Sequence, residues 1–174
     1  MGSKREVLVL NSTPLIYLSK VGLIGSLAEI FEIVITRSVY REVVIEGRKV
    51  GAPEVESIER LISKGKIVIR DDPKEAMLLA ETFRIGRGEA SVLSLVAKEN
   101  AVAIIDDEKA RRVGKALGVR VHGTLFLLKL LLLLGIISVD KLKRHLYLMV
   151  REGFRLSAEV LIEFIMDIEK EGSA

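Results

Sequence analysis

Short runs of β-branched and aliphatic residues alternate along this chain with longer stretches whose apolar positions recur every three to four residues. Residues 7–10 (VLVL), 33–36 (IVIT), 66–70 (KIVIR), 101–105 (AVAII) and 119–122 (VRVH) read as strands. The segments between them read as helices: TPLIYLSKVG with LIGSLAEIF, then SVYREVVIEG ended by Gly47, and EVESIERLISKG started by Pro53. AMLLAETF, GRGEASVLSLVAKEN from about residue 88, and DDEKARRVGKALG follow. Apolar throughout, the run 101–105 predicts an interior strand. Strand–helix alternation predicts an α/β fold with a parallel sheet covered on both faces by helices.

Helix starts are marked by familiar chemistry. Thr13 reads as a hydroxyl cap with Pro14 at the first helical position. Asp72, Pro73 and Glu75 form a capping-box pattern. From Gly123 onward the pattern is helical only, and Ser138 and Ser157 read as caps of the last two helices. A single domain is expected over residues 1–174, with an α/β core at about 7–125 and a C-terminal helical extension at about 126–174. The run LFLLKLLLLLGII, residues 125–137, is shorter than the ~18–20 apolar residues a membrane span needs, and Lys129 and Gly135 interrupt it. It predicts a helix buried on several sides or facing a partner. The opening MGSKRE is too short and charged for a signal peptide, so a cytoplasmic protein is expected.

Composition narrows the chemistry. With 174 residues, 49% of them hydrophobic, the chain can bury a real core and is not disordered. The absence of cysteine excludes disulfides and cysteine-ligated zinc. Only His122 and His145 are present, which disfavours a histidine-rich metal site. A net charge of +3 is compatible with nucleic acid without being diagnostic of it. Glutamine and tryptophan are missing while 29% of residues are charged, the bias of a heat-adapted (thermophile) protein.

The polar residues with most to say stand where strands end. Asn11, Ser12 and Thr13 follow the first strand; Asp106 and Asp107 follow the fourth. In an open α/β sheet that rim is where ligands bind. Glu89 falls in the first turn of the helix leading to strand four, and Glu42 in the helix after strand two. Singly, each has a plain reading: a cap, a helix-dipole partner or a surface ion pair. Together they form the kind of oxygen cluster that Mg²⁺ requires. Basic residues stand beside the acids: Arg84 and Arg87 before Glu89, and Arg111, Arg112 and Lys115 after Asp107. These are candidates for guiding a phosphate backbone or an ordinary solvated face. Scarce aromatics argue against a base-stacking platform.

In order, the chain reads NSTPLI (11–16), VYRE (39–42), GRGEASVL (86–93), DDEKAR (106–111) and GFRLS (153–157). It thereby resembles the PIN domain, the compact metal-dependent nuclease fold of VapC-like toxins and RNA-processing enzymes. The branch it resembles most reads NTSPLI, VYEE, GRGEAEAI and DDRRAR at these places and ends in a similar GFRLS segment. The resemblance implies a three-layer α/β/α fold with a five-stranded parallel sheet. It implies a site of Asn11, Glu42, Glu89 and Asp107, with Asp106 as the adjacent candidate, holding Mg²⁺ or Mn²⁺. It implies hydrolysis of RNA phosphodiesters, with Ser12 and Thr13 near a phosphate oxygen at a helix N-terminus. A homodimer and an antitoxin-like protein partner are further implications. Most active members carry aspartate where this chain has Asn11, and asparagine offers a neutral oxygen only. A unit charge pair at ~4 Å is worth about 4 kcal/mol at an effective dielectric near 20, so weaker metal binding is expected. The competing expectation is a PIN-like RNA- or protein-binding module with little or no turnover. A receiver or dinucleotide-binding protein is disfavoured, since the first strand is followed by neither paired acids nor a GxGxxG turn.

Overall fold

Every strand of the sheet runs parallel to its neighbours, in the order β3-β2-β1-β4-β5. The computed structural model describes residues 4–172 and divides into two compact units, Met1–Gly123 and Thr124–Ala174. In the first unit, β1 (Val7–Leu10), α1 (Ser12–Lys20), α2 (Ile24–Ile30) and β2 (Glu32–Thr36) come first. Next are α3 (Arg37–Tyr40), a π-helical segment (Arg41–Glu46) and α4 (Gly47–Lys49), one continuous helical stretch. Then come α5 (Glu54–Ser63), β3 (Ile67–Arg70), α6 (Ala76–Phe83), α7 (Arg87–Lys98), β4 (Ala101–Ile104), α8 (Glu108–Ala116) and β5 (Val121–His122).

The α/β architecture follows from where the apolar residues lie. All four residues of β1 and of β4 are buried, as strands covered on both faces require. The edge strands β3 and β5 each expose their last residue. Helix α7 lies against β2, β1 and β4, and it buries a run of eight residues after its first, interrupted only at Glu89. Chain order reverses at β1: β2 lies on one side of it and β4 on the other. That switch opens a crevice at the carboxyl ends of β1 and its neighbours.

Three helix boundaries differ from the reading of the sequence. Helix α1 begins at Ser12, so Thr13 is not its cap; Asn11 takes the cap position with extended backbone (φ −77°, ψ 175°). Gly47 does not end its helix: its φ of −58° is right-handed helical. A Cβ there would lie 2.9 Å from Val55 Cγ2, so the glycine permits the close approach of the α5 side chain. Asp72 does not cap α6, whose cap position is Glu75. Its carboxylate accepts from the Ser38 N–H (3.0 Å) and from the Ser38 hydroxyl (2.5 Å), thereby capping α3. A helix N-terminus takes the acceptor nearest in space, and sequence spacing alone ranks only the nearest in the chain. Strand ends also shorten: Lys66, Ile105, Val119 and Arg120 fall outside the strands.

The second unit is helical: α9 (Thr124–Leu133), α10 (Val139–Arg151) and α11 (Ala158–Gly172), each touching the other two. Ser138 accepts from Lys141 N–H and Ser157 from Val160 N–H, both as N-caps. Lys129 reaches Asp167 at 2.5 Å, and Lys143 pairs with Glu169. Leu127, Leu128 and Leu131 of α9 are buried, but Phe126 and Leu133 are exposed, so this helix is buried on one side and not on several. Among the described residues no helix is long and apolar enough to cross a membrane.

Candidate functional site

The site starts from a backbone hydrogen bond. Asn11 N–H donates to Ile104 C=O (3.0 Å), extending the β1–β4 ladder by one residue before the chain turns into α1. This fixes Asn11 on the carboxyl rim of the sheet, and its side chain is 4% exposed. Asparagine at a cap position ordinarily bonds its own helix. Here it makes no cap bond. Its Nδ2 donates instead to Glu89 Oε1 at 3.1 Å, across 78 residues of sequence. Its Oδ1 is buried and accepts nothing, and the neighbouring Ser12 Oγ is likewise buried without a partner. A buried polar atom left unsatisfied costs about 1–3 kcal/mol, so two side by side call for an explanation.

Glycines supply the space in front of those atoms. Gly86 caps α7 with extended backbone and Gly88 lies in its first turn; neither has positive φ. They are glycines for room, then, and not for backbone freedom. A Cβ on Gly88 would lie 2.9 Å from Asn11 Oδ1 and 3.3 Å from Glu42 Oε2. A Cβ on Gly86 would collide with the Glu89 carboxylate. The GRG triplet of the sequence is therefore a pair of notches, one holding Glu89 and one shared by the oxygens of Asn11 and Glu42.

Glu42 arrives on the π-helical segment, in its first turn. Such widened turns recur at functional sites because they re-aim side chains within a helix. A buried hydroxyl chain ties this helix to α7. Ser91 Oγ donates to Gly88 C=O (2.8 Å) and lies 2.6 Å from Thr36 Oγ1, which accepts from Val39 N–H (3.3 Å). With the Ser91 proton committed to Gly88, the Thr36 hydroxyl is the donor between the two. Thr36 and Ser91 are both 0% exposed. Thr36→Val is expected to leave Val39 N–H without a partner and Ser91 Oγ without the bond it accepts, and to lower unfolding free energy by about 1–3 kcal/mol, read by urea denaturation. An unchanged midpoint would show the chain to be dispensable.

Asp106 and Asp107 follow β4, next to β1, but are engaged elsewhere. Asp107 Oδ1 accepts from Ala110 N–H at 2.7 Å, capping α8. Asp106 is half-buried, and its Oδ1 and Arg111 Nη1 lie 3.0 and 3.4 Å from the point a Gly123 Cβ would occupy. The structure brings Asn11, Glu42 and Glu89 together; among the described residues it gathers no three acids or histidines about one point. Of the basic candidates, Arg111 donates to the carbonyls of Ile105 and Asp106, and Arg112 pairs with Glu108 (3.5 Å). Lys115 and Arg87 are exposed. Ser12 is buried beside Asn11, and Thr13 is half-buried in the first turn of α1. Reading the sequence missed Arg41, Lys74 and the Thr36–Ser91 pair. A hydroxyl at a strand end and another in a helix core carry no pattern that announces their meeting.

Two hard oxygen donors, Asn11 Oδ1 and Glu42 Oε2, thus share the notch at Gly88 by the switch point of the sheet, and the Glu89 carboxylate lies in the adjoining notch at Gly86, bonded to Asn11 Nδ2. The orphaned Asn11 Oδ1 and the Glu42 carboxylate are donors of the type that suits a hard divalent cation, and the residues fit such an ion.

No curated protein sequence matches the chain. Among solved structures it is similar to PAE2754 from Pyrobaculum aerophilum, at 16% identity, covering 72% of this chain and 95% of that one, with a TM-score of 0.50. It is also similar to a PilT N-terminus domain protein, SSO1118, from the hyperthermophilic archaeon Sulfolobus solfataricus P2. That similarity is 18% identity, covering 68% and 87%, with a TM-score of 0.47. The family model described as a PIN domain, DUF3368, matches residues 7–170, nearly the whole chain including the helices of its second unit. The chain belongs to this family of PIN domains.

Proposed function

We propose that the protein is a Mg²⁺- or Mn²⁺-dependent ribonuclease that hydrolyses RNA phosphodiester bonds. The fold supports a nuclease-like module in general terms. The observation that carries the finer reading is the unpartnered Asn11 Oδ1, which shares with Glu42 Oε2 the space left by Gly88. Asn11, Glu42 and Glu89 would hold the ion, with Asp106 and Asp107 on the adjacent rim. When bound, it supplies Lewis-acid stabilisation of a phosphoryl oxygen and a more acidic water. The residues of the chain do the rest. Asn11 fixes Glu89 in one orientation through its amide and turns a neutral oxygen into the notch. Ser12, buried at the α1 N-terminus with an unused hydroxyl, orients a phosphate oxygen or a water there.

A second reading, an RNA-binding module without turnover, is favoured by the same Asn11, which removes one charge from the ion's surroundings. One set of measurements separates the two. The enzyme reading expects cleavage of a fluorophore-labelled RNA that requires Mn²⁺, stops with EDTA, and falls at least ~100-fold in Glu89→Gln, a range typical of lost electrostatic groups in active sites. RNA bound but cut by neither the wild type nor Asn11→Asp would establish the module instead.

A further inference from the structure

A cleft of about 210 Å³ opens beside the acidic notch, on the β2–β3 side of the switch point. It has room for about seven waters at liquid volume, enough for a phosphodiester group. Arg41, Lys74 and Arg87 line it. Arg41 directly precedes Glu42, and Arg87 directly precedes Gly88, so the cleft and the notch share their walls.

What marks this cleft is that three cations without partners converge on it, next to the notch. Several bases elsewhere are paired: Arg37 with Asp71 at 3.1 Å, Lys98 with Glu75 at 2.6 Å, Arg48 with Glu59, Arg120 with Glu6. Among the described residues, Arg41, Lys74 and Arg87 make no hydrogen bond or ion pair. The acid that lines the cleft, Asp72, has both oxygens on Ser38. Three unpaired positive charges against one committed negative one leave the cleft with a net attraction for anions. Met77, 63% exposed, and Pro73 give it an apolar wall. On the opposite side of the notch Arg112 is occupied by Glu108 and Arg111 by two backbone carbonyls, which leaves Lys115, exposed on α8, as the cation without a partner among the described residues.

We infer that this cleft is the strand-binding subsite: Arg41, Lys74 and Arg87 hold the phosphodiester next to the one presented at the notch, with a sugar or base against Met77. The polynucleotide then leaves the site over α3 toward α6, and not over α8. The inference rests on the reading of the protein as acting on a nucleic-acid strand. It is tested on the full chain by fluorescence anisotropy with a fluorescein-labelled single-stranded RNA in EDTA, so that binding is measured without cleavage or metal. Arg41→Ala combined with Lys74→Glu is expected to raise the dissociation constant at least tenfold. It should also flatten the salt dependence, by about 0.7 in the log–log slope for each phosphate that is no longer neutralised. Arg112→Glu is expected to change the constant less than twofold. A larger loss from Arg112→Glu than from the cleft variant overturns the assignment, as does RNA binding that ignores Arg41 and Lys74. The phosphate chemistry is common to RNA and DNA. A tenfold preference for RNA over DNA of the same sequence supports the ribonucleotide strand, and equal binding overturns that part. Mn²⁺ binding by calorimetry, retained in the cleft variant, keeps failure of the cleft distinct from failure of the metal site.

Discussion

Replacing Gly88 by alanine is expected to abolish divalent-metal binding while leaving the protein folded. The added Cβ would stand 2.9 Å from Asn11 Oδ1 and 3.3 Å from Glu42 Oε2, in the space the two oxygens share. Asn11 is 4% exposed, bonded through Nδ2 to Glu89 and through its backbone to Ile104, so it has little room to retreat. Glu42 is exposed and swings away, taking its charge out of reach of an ion. Attraction between a carboxylate and a cation at an effective dielectric near 20 is worth about 4 kcal/mol per unit charge, so without it Mn²⁺ affinity should fall at least ~100-fold. The backbone of Gly88 is helical, where alanine is favoured over glycine, and this offsets part of the crowding. Gly25→Ala in α2, where a Cβ would meet nothing within 4 Å, is the matched control. Isothermal titration with Mn²⁺ and thermal unfolding read the two quantities separately. A folded Gly88→Ala protein that binds Mn²⁺ like the wild type would remove the notch from consideration.

Asn11→Asp should make stability depend on a cation. In the wild type the amide satisfies Glu89 Oε1 at 3.1 Å, so the pocket stands assembled without an ion. Aspartate replaces that donor with a second carboxylate at the same distance. The lost hydrogen bond to a charged group and the new repulsion together are expected to cost on the order of 2–4 kcal/mol in EDTA at pH 7. Like charges favour proton uptake by the folded pair. The penalty is therefore present above the carboxylate range and fades as pH falls through it. Mn²⁺ should abolish it at neutral pH, since an ion that binds only the folded state stabilises by mass action. Thermal unfolding at pH 4 and pH 7, with and without Mn²⁺, checks all three signs. Equal stability of wild type and variant in EDTA at pH 7 would show that residues 11 and 89 do not share a pocket.

Asparagine at this position is thus a trade of charge against preorganisation. With aspartate, the notch would hold more charge and bind a cation more tightly, but would repel itself when empty. With Asn11, Glu89 is oriented at all times, and the remaining donor oxygen is neutral. The enzyme and module readings differ in whether that weaker electrostatic pull suffices for turnover.

Much of this protein was open to inspection in one dimension. Hydrophobic period distinguishes strand from helix because burial repeats every two residues in one and every 3.6 in the other. The alternation of these periods sets the parallel sheet, and the wholly apolar 101–105 run marks β4 as interior. The pattern places Asn11 and Asp106 at strand ends, and the structure makes those strands neighbours. What the tertiary structure alone decided is which polar atoms meet. Asp72 had a sound local role before α6 and took a distant one at Ser38, because a helix N-terminus accepts any correctly placed oxygen. Asp107 capped α8, while Asn11, at the cap position of α1, turned its amide to Glu89. The π-helical turn under Glu42, the notch at Gly88 and the unpaired cations of the cleft likewise have no sequence signature. Periodicity records which side chains avoid water, and that preference is carried by each side chain and its spacing along the chain. Hydrogen bonding is directional and pairwise, between residues as far apart as Asn11 and Glu89, so it is settled only once the backbone has placed both partners in space.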